Sequence, residues 1–285
     1  MRDPSASVSM QRSGFMRPPL VLAYHALGEV SREHDPERLV TSPRELRGQI
    51  ERLRAREYEF VTMTEFGRRL TEGRPLSGVC ALTFDDGSLD NVTLLPSLLR
   101  SLHVPATLFV CPGLLGEPHP WVHPEAGMRL MELNELRAAA ELPFVEIGSH
   151  TSAHCDMGKI TDPSEAYGEL RSSKLLLEEM LDRPVLSFAY PYGRYTAVCP
   201  AEAHRAGYLT AATCGLQGDL VPYELHRELI GPGDLSLKFE LKIRGVFRAV
   251  VSSRPARLRR RLLGRDEAYE PIPVGGSVSH QSKRA

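Results

Sequence analysis

Three short stretches carry side chains that could do chemistry. The first, ALTFDDG at 81–87, is an apolar run ending in two adjacent acids and a glycine. Successive side chains on a strand point to opposite faces. Asp85 and Asp86 can therefore serve one site only if the backbone turns there, which Gly87 would ease. Two carboxylates side by side repel each other, and a cation coordinated by one of them would relieve the repulsion. The plainer alternative is a surface Asp-Asp-Gly turn. The second stretch, GSHTSAH at 148–154, places His150 and His154 four residues apart. On a helical turn that spacing puts both imidazoles on one side. Two imidazoles and one carboxylate make the shell of a catalytic zinc site that leaves room for water. Taken separately, either histidine is equally readable as a hydrogen-bonded surface group. The third stretch, FAYPYG at 188–193, reads as a strand end bent by Pro191 and Gly193, where a main-chain N–H could meet a reacting oxygen.

The elements around these stretches must bring them to one place. Apolar strand-like runs lie at Leu20–Tyr24, Phe60–Met63, Val79–Phe84, Ala106–Val110, Phe144–Ile147, Val185–Tyr190 and Leu209–Cys214. Amphipathic segments separate them. Ser42-Pro43-Arg44-Glu45 is a capping box with proline at the first helical position, followed by Leu46, Ile50 and Leu53 on one face. Asp162-Pro163-Ser164-Glu165 repeats the start signal ahead of a helix ending near Leu181. Leu94, Leu95, Leu98, Leu99 and Leu102 give another helix an apolar stripe. About seven β/α units in one run predict an α/β fold with a parallel sheet closed, or nearly closed, into a barrel. An open doubly wound sheet fits the same pattern. In both topologies reactive residues belong at the C-terminal ends of strands.

Together and in this order, the three stretches resemble the NodB-like polysaccharide deacetylases, the fourth family of carbohydrate esterases. Val104–Val110 and Ala206-Gly207-Tyr208 also resemble the family, and the likeness runs over about residues 20–215. It implies a distorted (β/α) barrel of about seven parallel strands that removes N-acetyl groups from amino sugars with a divalent metal, zinc foremost. By motif position Asp85 would be the general base, and Asp86, His150 and His154 the metal ligands. The backbone N–H of Tyr192 would hold the oxyanion. Much of the family protonates the leaving amine from a Leu-x-His motif near the C-terminus; Leu225-His226 does not match it. Ala23-Tyr24-His25 instead resembles a subgroup with permuted motifs that includes poly-N-acetylglucosamine deacetylases, which implies His25 as the acid. A buried structural histidine is the other reading of His25. Many members carry an arginine two residues before the third-motif proline, where it orients the base. This chain has Ala189 there, so the orientation of Asp85 lacks an explanation; Thr83, Thr151 and Tyr24 are candidates by proximity.

Composition narrows the classes. The 285 residues include 35 Lys and Arg against 36 Asp and Glu, so no bulk basic field exists for nucleic acid and none is expected as a partner. Five cysteines without a Cys-x-x-Cys pair fit reduced thiols better than a disulfide framework. No stretch is long enough to span a bilayer or read as an export signal, so the expected location is cytoplasmic. A start at Met10 or Met16 would reopen that question. The expected organisation is a flexible tail at 1–18, a catalytic domain at 19–250, and a disordered C-terminal tail at 251–285. The segment 252–265 holds six arginines and no acid, and is either a solvated tail or a patch for an anionic membrane. Gly231-Pro232-Gly233-Asp234 reads as a turn, and Trp121 as either a sugar subsite or a core residue. The expected partner is an N-acetylated glycan or glycan precursor. Two rivals remain: a C–N hydrolase acting on a small or cyclic amide, and a non-catalytic glycan-binding or assembly protein.

Overall fold

A computed structural model describes residues 17–215, 218–234 and 236–246. The strands are β1 (Leu20–Tyr24), β2 (Ala26–Leu27), β3 (Val40–Thr41), β4 (Glu59–Val61), β5 (Val79–Phe84), β6 (Ala106–Val110), β7 (Val145–Ser149), β8 (Ser187–Ala189), β9 (Thr210–Cys214) and β10 (Leu225–Leu229). The helices are α1 (Pro43–Ala55), α2 (Met63–Thr71), α3 (Asp90–Thr93), α4 (Leu95–Leu102), α5 (Leu133–Ala140), α6 (Pro163–Leu181), α7 (Cys199–Arg205) and α8 (Ser236–Ile243).

Every strand pairing in the main sheet is parallel, and β1 pairs with both β5 and β10. That pairing closes a ring of β1, β5, β6, β7, β8, β9 and β10, a barrel rather than an open sheet. β4 lies beside Val79–Ala81 of β5, just below the point where Thr83 and Phe84 pair with β6. Side chains alternate across the wall. Leu22, Tyr24, Leu82, Phe84, Leu108 and Phe188 pack outward under the helices. Val21, Ala81, Phe109, Ala189 and Ala212 form a separate inner cluster. The small residues of that inner cluster leave room in the barrel for something larger.

The predicted helix signals act as expected. Ser42 Oγ accepts the Glu45 N–H while Glu45 accepts the Ser42 N–H, and α1 buries Leu46, Ile50 and Leu53. Asp162 caps α6 through the N–H groups of Ser164 and Glu165. In α4, Leu95, Leu98, Leu99 and Leu102 are buried, whereas Leu94 is largely exposed. Full burial of one such leucine contributes roughly 1.5–3 kcal/mol.

Four predicted strands shift, one of them, Leu209–Cys214, only by starting at Thr210. Phe60–Met63 becomes Glu59–Val61 because Thr62 caps α2 and Met63 starts it. Phe144–Ile147 becomes Val145–Ser149, and Val185–Tyr190 shortens to Ser187–Ala189. The short pair β2–β3 and the strand β10 are additions. All five cysteines are free thiols, and no helix among the described residues is long and apolar enough to cross a membrane. The predicted tails 1–18 and 251–285 lie outside the described residues except for Arg17 and Pro18, and so does the Arg-rich segment. Arg17 donates to the carbonyls of Arg56 and Glu57, and Pro18 accepts from Tyr58.

Candidate active site

The strand ends converge on a cleft of about 210 Å³ lined by His25, Asp85, Asp86, His150, His154 and Tyr192, with Trp121 on its wall. All six residues singled out in the sequence therefore border one space. The turn after β5 explains how adjacent acids share it. Asp85 continues the strand register and donates its N–H to Tyr24. Asp86 then adopts φ 70° and Gly87 φ 83°. A left-handed aspartate is tolerable because its short polar side chain suits that region.

The histidines come from the end of β7, and not from a helical turn as their spacing suggested. His150 follows the strand directly, and the chain then reverses through Thr151 and His154, both at positive φ. Thr151 Oγ1 accepts the Cys155 N–H across this reversal at 2.8 Å. Thr151 thus shapes the histidine loop instead of touching Asp85. His150 Nδ1 lies 2.7 Å from the Ala189 carbonyl and donates to it in the neutral ring. That bond leaves Nε2 with its lone pair facing the cleft. His150 Nε2 and His154 Nε2 stand 3.7 and 3.4 Å from Asp86 Oδ1. Asp86 Oδ1 itself is buried without a hydrogen-bond partner. Burial lowers the pKa of both rings, His150 to about 4. Burial and the neighbouring Asp85 raise that of Asp86. An orphaned carboxylate oxygen beside two imidazole Nε2 atoms fits a divalent cation, and the N₂O donor set suits zinc among several metals.

Asp85 has a different partner, which the sequence reading missed. Arg227, fully buried on β10, donates Nη1 to Asp85 Oδ1 at 2.6 Å and Nη2 to Oδ2 at 2.8 Å. Its Nη1 also donates to Thr83 Oγ1 at 3.0 Å and its Nε to the Thr213 carbonyl at 3.3 Å. The guanidinium lies over the Phe109 ring at 5.2 Å, in the room left by the inner alanines. Ala189 therefore does not leave Asp85 unoriented: an arginine two strands later in the sequence does that work. Thr83 acts through Arg227, and Tyr24 takes no part by its side chain, whose hydroxyl donates to Gln49 on the helix side. Burial pushes the Asp85 carboxyl up, but Arg227, with His150 and His25 adding to it, holds it well below the usual carboxylate range.

His25 follows β1 on the same rim. Burial lowers its pKa, and Asp85 opposes that shift. Trp121 and Tyr192 flank His154 with ring centroids 4.2 and 4.5 Å away, and Tyr192 is half exposed. Tyr192 has φ 58° inside the turn Pro191–Gly193, and Gly193 is required there because a Cβ would meet Cys214 Sγ at 2.4 Å. The loop carrying Trp121 is tied back to the acid turn by Met131 N–H to Gly87 and Leu89 N–H to Arg129.

Residues 72–211 match the polysaccharide deacetylase family. YxkH of Bacillus subtilis (strain 168), a protein placed by its name among polysaccharide deacetylases, is 27% identical over 217 residues, covering 75% of this chain and 71% of YxkH. A chitin deacetylase of Colletotrichum lindemuthianum is 30% identical over 158 residues, 54% of this chain and 52% of that protein. The Streptococcus pyogenes deacetylase PplD, solved in complex with acetate, shares the fold with a TM-score of 0.66 at 23% identity, over 79% of this chain and 99% of PplD. The closed barrel of seven parallel strands, the motif-bearing strand ends and these matches agree: the chain carries a polysaccharide deacetylase domain of the NodB type.

Proposed function

We propose that this chain is a metal-dependent hydrolase that removes N-acetyl groups from the amino sugars of a polysaccharide, oligosaccharide or glycan precursor. The observation that carries the reading is the unpartnered Asp86 oxygen beside two imidazole Nε2 atoms, next to an Asp85 held ionised by Arg227. Asp86, His150 and His154 would hold the cation. When bound, a divalent ion there supplies Lewis acidity, acidifying water and polarising the amide carbonyl.

The chain's own residues do the rest. Asp85 accepts the proton of the attacking water, and its pairing with Arg227 fixes the carboxylate toward the cleft. The Tyr192 N–H donates to the oxyanion that develops on the carbonyl oxygen as water adds to the amide carbon. His25, protonated for this step, passes its proton to the nitrogen as the C–N bond breaks, so that an amine and acetate leave. Trp121 and Tyr192 offer apolar faces to a sugar ring on either side of His154. The relative named a chitin deacetylase supports an N-acetylated glycan as substrate.

Acetate release from N-acetylglucosamine oligomers by the full chain tests the reading, with a chelated sample alongside. Release is expected to vanish on chelation and return with added zinc. Release that survives complete metal removal would overturn the metal dependence. Cleavage of small or cyclic amides with no release from any oligomer would overturn the glycan.

A further inference from the structure

A second cluster of donor atoms stands outside the catalytic one. His34 Nε2 lies 3.3 Å from Glu125 Oε2, and the His34 and His123 rings stack with centroids 5.2 Å apart at 17°. One donor atom from each of His34, His123 and Glu125 lies within 4.8 Å of the other two. The backbone fixes both arms. His123 N–H donates to the His34 carbonyl at 2.8 Å, and His34 and Asp35 both donate their N–H to Ser31. The buried Asp35 carboxylate accepts the N–H groups of Leu39 and Val40 at 2.8 and 3.0 Å. His123 caps the short turn Pro124–Ala126, which closes with Gly127 at φ 66°. Among the described residues no Arg or Lys ion-pairs with Glu125, which leaves its carboxylate beside His34. His123 Nδ1 accepts the Glu125 N–H at 3.3 Å, a long bond that coordination would replace.

Two imidazoles and a carboxylate prefer zinc, nickel or copper to calcium or magnesium. Three protein donors leave the remaining positions to water. We propose that His34, His123 and Glu125 form a second divalent-cation site of the zinc type, which ties the segment 28–39 to the segment 117–131. Each segment contributes to the wall of the catalytic cleft, Glu37 and Leu39 from the first and Trp121 from the second. A cation at the outer cluster therefore joins two parts of that wall. The site stands independently of the deacetylase reading, because none of its ligands belongs to the catalytic set.

The test uses the full, tag-free chain carrying Asp86→Ala and His150→Ala, which leaves His154 as the one remaining donor of the catalytic set. Trp121 is the only tryptophan, and it sits two residues from His123, so its emission reports on this wall. Zinc titration followed by calorimetry and Trp121 emission is expected to show one remaining site with a change in emission. Adding His34→Ala and His123→Ala is expected to abolish both signals, with circular dichroism unchanged. Should the catalytic double variant not fold, metal analysis of His34→Ala/His123→Ala in the otherwise natural chain is expected to show one zinc fewer than the parent. Zinc binding unaffected by loss of His34 and His123 would overturn the site. Binding without any response of Trp121 would overturn its link to the cleft wall.

Discussion

Asp85 and Asp86 are neighbours, 3% and 2% exposed, and the two sides of the cleft treat them in opposite ways. On the side built by β1, β5 and β10, the protein meets the charge of Asp85 with a guanidinium and two short hydrogen bonds. On the side built by β7 and β8, it meets Asp86 only with neutral imidazoles, one locked by the Ala189 carbonyl. An uncompensated buried carboxylate is costly, so the second arrangement makes physical sense as a place kept for an external cation. On the proposed function, the difference separates a group that stays charged and uncoordinated from a group that coordinates.

The largest expected effect breaks this division directly. Asp85→Asn should lower turnover by roughly 10²–10⁴-fold, the usual contribution of a positioned acid or base, while the bound metal stays. Asp86→Asn should lose both activity and metal. Metal analysis beside acetate release distinguishes them, and an Asp85→Asn protein that loses its metal would show that the two acids are not divided as described.

Next comes the guanidinium. Arg227→Met strands a buried carboxylate, and breaking a buried pair from one side costs about 3–5 kcal/mol. The Asp85→Asn/Arg227→Met double variant should recover much of that stability, because the stranded charge is gone. Denaturant unfolding of all four proteins reads the coupling. Additive losses would mean that the two side chains do not depend on each other.

The same division explains what could be read from the residues alone. β1, β5 and β6 stand where their apolar runs place them, because strands covered on both faces read as continuous hydrophobic segments. β10 does not read that way. Its Leu225 and Arg227 point inward while His226 and Glu228 alternate outward, so a period of two was present but its inner face carries a charge. Ala189 was the available clue: a base without its expected arginine calls for another arginine on a strand of the same barrel. The histidine spacing correctly joined His150 to His154, but the positive φ of Thr151 and His154 depends on tertiary packing that no local pattern displays. Thr83 was near the right answer, one hydrogen bond removed from Asp85.

A third acid sharpens the comparison by having no cationic side chain paired with it among the described residues. Asp90 is buried and accepts hydrogen bonds from the Leu27 N–H, the Ser88 hydroxyl and its own backbone N–H, all neutral donors. Burial pushes its carboxyl from 3.8 up to about 6. A carboxyl raised on folding favours the folded state below its unfolded pKa, and that contribution is lost as pH rises through the folded value. The window therefore runs from about pH 4 to about pH 6, and the two-unit shift corresponds to about 3 kcal/mol. Asp90→Asn keeps an oxygen for Leu27 and turns an amide toward Ser88, whose hydroxyl can accept. The variant should thus lose less stability than the parent between pH 4 and pH 7, and should equal or exceed it at neutral pH. Unfolding curves across that range measure the slope. Parallel slopes would mean that Asp90 does not titrate there, and that neutral donors alone hold a buried carboxylate ionised where Asp85 uses a guanidinium.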